Sequence, residues 1–94
     1  MTHHRRRVNR GIVVCENDPL WQDISSGKIM AILDRNILKA HYKIGAPISE
    51  IAKAAKVSPG YVRKVIVYFW HYCDMIGERY DKLYNRLVEG VGDA

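Results

Sequence analysis

A four-residue break, Val57-Ser58-Pro59-Gly60, falls between two stretches of helical periodicity and constrains this 94-residue chain more than any other feature. Ser58 is suited to accept a hydrogen bond from the free amides of a helix start. Pro59 fits the first helical position, where its missing N–H costs nothing. Downstream, Val62, Val65, Ile66, Phe69 and Cys73 recur at helical spacing, which predicts a helix to about Met75. Upstream, Ile51, Ala52 and Ala55 mark a shorter helix from Pro47 or Ile48 to Lys56. Glu50 lies in its first turn and Lys56 in its last, as the helix dipole favours. Two helices joined by so short a turn must cross closely, and the small side chain of Ala52 permits this.

Similar punctuation divides the rest of the chain. Asn17-Asp18-Pro19 opens a short helix through Ile24 that buries Leu20 and Trp21, with Asp18 as its cap. Ser25-Ser26-Gly27 breaks it, and Ser26 is expected to cap a helix from Lys28 to about Lys43 whose inner face is Ile29, Leu33, Ile37, Ala40 and Ile44. Gly45 and Pro47 end that helix. A last helix, Glu78 to Glu89, follows Gly77 and carries the apolar stripe Tyr80, Leu83, Tyr84, Leu87 and Val88. Gly11 to Cys15 is β-branched and extended in character but has no pairing partner. The first ten residues hold Arg5, Arg6, Arg7 and Arg10 and almost nothing apolar, so burial cannot order them. The expectation is all-α: a flexible basic arm over 1–10 and a single domain over 11–94.

A hydrophobic fraction of 48% is enough to fold such a domain. The net charge of +5 is unevenly placed. Between Ile24 and Val67, Lys28, Arg35, Lys39, Lys43, Lys53, Lys56, Arg63 and Lys64 face only Asp34 and Glu50; from Tyr68 onward the acidic residues are in excess. The positive middle favours an anionic partner, because Lys and Arg gain by displacing counterions condensed on phosphates. Cys15 and Cys73 lack the close spacing of a zinc site and are expected to be free thiols packed as small apolar residues, so no metal or cofactor is implied. No run approaches the roughly 18 apolar residues of a spanning helix, and the start lacks a signal-peptide core, so a soluble, cytoplasmic protein is expected. His41 and His71 stand without a nucleophile or carboxylate at recognisable spacing, which argues against an enzyme.

The segment ISEIAKAAKVSPGYVRKVI, Ile48 to Ile66, resembles the helix-turn-helix DNA-binding family. With the preceding helix, Ile37 to Ile66 looks like the trihelical form found in DNA invertases, transposases and small terminase subunits. Many members have glycine where this chain has Lys56. The resemblance implies a trihelical bundle with an added C-terminal helix, and a third helix that enters the major groove of double-stranded DNA. The residues that would touch DNA are Ser58, Pro59, Gly60, Tyr61, Arg63, Lys64 and Val67. Arg63 is the candidate for a bidentate guanine contact, Val67 for a thymine methyl, and Ser58 and Lys64 for phosphates. Arg5, Arg6, Arg7 and Arg10 would enter a minor groove, as the arms of invertases do.

The function expected first is a sequence-specific transcriptional regulator, dimeric through Tyr80, Leu83, Tyr84, Leu87 and Val88. A DNA-processing accessory, such as a small terminase subunit or recombination cofactor, is the second class. A protein-interaction module that blocks a host enzyme is the third. The short chain and self-association stripe suit a phage or mobile element. The aromatics at Tyr61, Tyr68, Phe69, Trp70, Tyr72, Tyr80 and Tyr84 fall at helical spacing, so they read as core or subunit interface rather than as a platform for stacking bases.

Overall fold

The computed structural model describes residues 12–91. The arm and its Arg5, Arg6, Arg7 and Arg10 lie outside them. The described residues form α1 (Pro19–Ser25), α2 (Ile32–Lys39) running into a π-helical turn (Ala40–Ile44), α3 (Ile48–Ala55), α4 (Pro59–Ile76) and α5 (Tyr80–Leu87), with no strand among them. Ile12 to Cys15 is not a strand either. It lies along α4, where the Cys15 amide donates to the Tyr68 hydroxyl at 3.1 Å.

Local capping chemistry sets most helix ends. The Asp18 carboxylate accepts from the Leu20 amide at 2.9 Å and starts α1, which buries Leu20, Trp21 and Ile24. Ser58 accepts from the Tyr61 amide at 3.1 Å and starts α4. Gly45 and Gly77 take left-handed conformations, at φ 74° and 69°, that close the π-helical turn and α4. Gly77 therefore ends α4, and the Glu78 amide turns back onto the Cys73 carbonyl at 3.1 Å.

The second helix departs from expectation. It begins at Ile32 and not near Lys28, and Ser26 caps nothing there: its hydroxyl donates to the Asp23 carbonyl at 2.7 Å, at the end of α1. Residues 28–31 stay non-helical because the Met30 amide is bound to the Leu87 carbonyl at 2.9 Å and its side chain is buried. The inner face is rotated as well. Ile37 faces the core as expected, joined by Leu38 and Asp34, while Ile29, Leu33 and Ile44 are exposed. Asp34 turns inward because the Tyr61 hydroxyl donates to its carboxylate at 2.7 Å.

Helix α4 is the axis of the molecule. Eighteen residues give it a length of about 27 Å. Its first half covers α2 and α3 through Val62, Val65 and Ile66; its second half extends beyond them. That extension is where α5 packs. Phe69 meets Tyr80 with ring centroids 5.0 Å apart, and Tyr42, on the π-helical turn, lies 4.9 Å from Tyr80 and 4.7 Å from Tyr84. Leu83, Tyr84, Leu87 and Val88 are completely covered within one chain, and Tyr80 is mostly covered. The stripe assigned to a symmetric partner is thus consumed internally, and these residues offer no dimer face. The length of α4 is the reason, since its second half carries apolar surface beyond α2 and α3 that α5 covers on one side and Trp21 of α1 on another.

Cys73 is buried and Cys15 exposed, and neither is in a disulfide, so only Cys73 packs as a small apolar residue. Among the described residues no helix is long and apolar enough to cross a membrane, and no three His, Cys, Asp or Glu side chains are placed to hold a metal ion.

Asp34 yields a pH test. Burial raises its pKa above the usual carboxylate value, and the hydrogen bond from Tyr61 opposes the shift only in part. A carboxyl that binds its proton more tightly when folded supports folding most below the ordinary carboxylate range, and that support is lost as pH rises through the raised value. Asp34→Asn should therefore be more stable than the parent at neutral pH, with the difference closing as both are acidified. Urea unfolding at pH 7 and pH 3 measures it; lower stability of the variant at pH 7 would refute the assignment.

Candidate nucleic-acid interface

The exposed junction between α3 and α4 gathers positive charge. Lys53 lies in the last turn of α3, Lys56 follows it, and Arg63 stands one turn into α4; all three are exposed. No acidic residue lies in the first turn of α4, whose free amides and dipole add partial positive charge at the same end. Between Arg35 and Cys73 the sequence contains one acidic residue, Glu50. Among the described residues, no hydrogen bond or ion pair engages the Arg63 side chain.

Lys56 occupies an uncommon backbone conformation. Its φ of 60° and ψ of 43° are left-handed, the single positive φ of a non-glycine residue among those described. Holding a lysine there costs about 1 to 2 kcal/mol of local strain. Lys56→Gly should raise stability by about 0.5 to 1 kcal/mol, because relief of strain exceeds the added entropy of the unfolded glycine. Thermal unfolding tests this; a destabilised variant would mean the conformation is not strained.

The seven residues of the expected contact set divide. Ser58, Pro59, Gly60 and Arg63 are exposed together at the start of α4. A Cβ built on Gly60 meets nothing nearer than the Ser58 hydroxyl at 3.8 Å, so the fold itself does not require a glycine there. Tyr61, Lys64 and Val67 are turned to other work. The Tyr61 hydroxyl is bound to Asp34, and burial together with that carboxylate pushes its pKa far up, so it remains a proton donor.

Lys64 does not reach outward for a phosphate. Its ammonium lies 2.9 Å from the Asp18 carboxylate and above the rings of Tyr61 and Tyr68, 5.4 and 5.9 Å from their centroids. Asp18 accepts from Tyr68 as well, at 3.3 Å, and its pKa is lowered first by the Lys64 hydrogen bond and then by the Leu20 amide. Val67 is 5% exposed, in the cleft that Ile12 to Glu16 forms against α4, and it has no surface for a thymine methyl. Both corrections have one cause: the segment before α2 folds back over this side of α4.

Sequence reasoning passed over Lys53 and Lys56 as members of the site. The signal was present, since they are spaced three residues apart at the C-terminal end of α3 and border the turn. Asp18 carried no such signal, because its partner Lys64 is 46 residues away. Comparison with protein-family models, curated proteins and solved structures gives no match to this chain.

Proposed function

We propose that the chain is a DNA-binding protein in which α2, α3 and α4 act as a trihelical helix-turn-helix and the start of α4 enters the major groove of a duplex. The observation that carries the reading is the cluster of Lys53, Lys56 and Arg63, exposed around the N-terminus of a long helix with no acidic side chain in its first turn. A helix start of this kind favours anions, and three cations spread over a turn suit the spaced charges of a phosphodiester backbone better than a single small ion. In this reading Lys53 and Lys56 hold phosphates, Ser58 and Pro59 bring the helix end to the groove, and Arg63 reaches a base edge. Arg5, Arg6, Arg7 and Arg10 belong to the same proposal as an arm for the minor groove.

Amide chemical-shift mapping with a short mixed-sequence duplex tests the surface. The largest shifts should fall between Lys53 and Arg63. Shifts confined to α5, or none at low salt, would set the proposal aside and leave binding to another macromolecule as the better account.

A further inference from the structure

Three side chains that a recognition helix would turn toward DNA are occupied within the chain. Tyr61 is held by Asp34 at 2.7 Å, Lys64 by Asp18 at 2.9 Å, and Val67 is covered where Ile12 to Glu16 crosses α4. Further along α4, α1 lies against the helix, with Trp21 packed edge-on to Tyr68 and Tyr72 at 6.1 and 5.8 Å. What remains open is the first turn and a half, where Pro59 and Gly60 carry no hydrogen-bonding side-chain group and Ser58 is spent on its cap. Arg63 is the one long polar side chain that α4 presents outward there.

Resting on the DNA-binding reading above, we infer that this protein binds duplex DNA with little sequence discrimination, and that Arg63 supplies nearly all of the base preference of α4. The physical limit follows from counting contacts. One bidentate arginine–guanine pair discriminates by roughly 5- to 150-fold, the equivalent of about 1 to 3 kcal/mol. Operator-type regulators exceed their own non-specific binding by typically 10³ or more, and they do so with several base contacts per recognition helix. Phosphate contacts from Lys53 and Lys56 add affinity without adding sequence information. The chemistry fits a protein that coats, marks or shapes DNA for other machinery better than one that finds a single operator.

Asp18 limits affinity rather than discrimination. It withholds the Lys64 ammonium from the groove, and because Asn caps a helix as well as Asp does, Asp18→Asn releases Lys64 while α1 keeps its start. The released lysine is a phosphate ligand, so affinity should rise for all sequences alike.

The test uses the full chain. Duplexes are selected from a random pool, and the affinity of the best is compared with that of the bulk pool at one salt concentration, per bound protomer counted from the mass of the complex. The expected ratio stays below roughly 10³, falls to near one in Arg63→Ala, and is unchanged in Lys64→Ala. A ratio at or above that bound, or a base preference altered by Lys64→Ala, overturns the inference while leaving DNA binding intact. Absence of duplex binding at low salt removes the DNA-binding reading and this inference with it. Asp18→Asn should tighten binding to selected and random duplexes by the same factor and steepen the salt dependence by about one unit of log-log slope. Equal or weaker binding by a variant that remains folded counts against the latch.

Discussion

Replacing Leu87 with aspartate should unfold the protein. Leu87 is wholly buried at the end of α5, and its carbonyl also receives the Met30 amide at 2.9 Å, so the site joins α5 to the non-helical segment before α2. Truncating a leucine in such a place costs about 2 to 5 kcal/mol, and an unpaired charge in its stead raises the loss further. The total approaches the whole stability of a domain this size, which is of order 5 to 14 kcal/mol. A dimer face predicts something else: a folded monomer with intact helicity. Circular dichroism and light scattering on one sample separate the two outcomes, and a folded monomeric Leu87→Asp would show that α5 does not belong to the core described above. The milder Leu83→Ala gives a graded readout, with an expected loss of about 2 to 5 kcal/mol in urea.

The second large effect concerns the basic junction. Changing Lys53, Lys56 and Arg63 together to alanine should leave the fold intact, since all three side chains are exposed. Duplex affinity should fall by about 3 kcal/mol or more, roughly a hundredfold, with Arg63 contributing about 1 to 3 kcal/mol of this. The lysines should act equally on every sequence, and Arg63 more on the preferred one. Lys64→Ala should have a far smaller effect than any of the three, because its charge is already spent on Asp18. That ion pair is itself partly open to solvent, with side chains 32% and 19% exposed, and stabilises the fold by about 1 kcal/mol at most. Comparable losses for Lys64→Ala and Arg63→Ala would mean that Lys64 leaves Asp18 when DNA binds.

Helix ends were legible in the sequence because capping is local. Asp18-Pro19, Ser58-Pro59, Gly45 and Gly77 act within a few residues, and each stands where its chemistry predicts. The inner faces of α3 and α4 were legible for the same reason, as Ile51, Ala52, Val62, Val65 and Ile66 repeat with the helical period. The start of α2 was not, because Met30 is held by a carbonyl 57 residues later and the pattern at Ile29 and Leu33 points to a face that stays open. An amphipathic stripe says that a surface must be covered, never by what; for α5 the covering group is the same chain. The site divides along the same line. The exposure of Arg63 follows from helical spacing, whereas the engagement of Lys64 and Val67 depends on Asp18 and on Ile12 to Glu16, which local spacing does not connect to them.

The proposed contact of the exposed basic junction between α3 and α4 with the phosphate backbone of DNA is tested most directly by the salt dependence of duplex affinity for the parent and the Lys53, Lys56, Arg63 triple variant. Each phosphate neutralised contributes about −0.9 to the slope of log affinity against log salt, so the parent should show a slope steeper than about −2 and the variant a slope shallower by about 2 to 3. Slopes that coincide would place the electrostatic contact elsewhere on the molecule, and a parent slope near zero would contradict the claim outright.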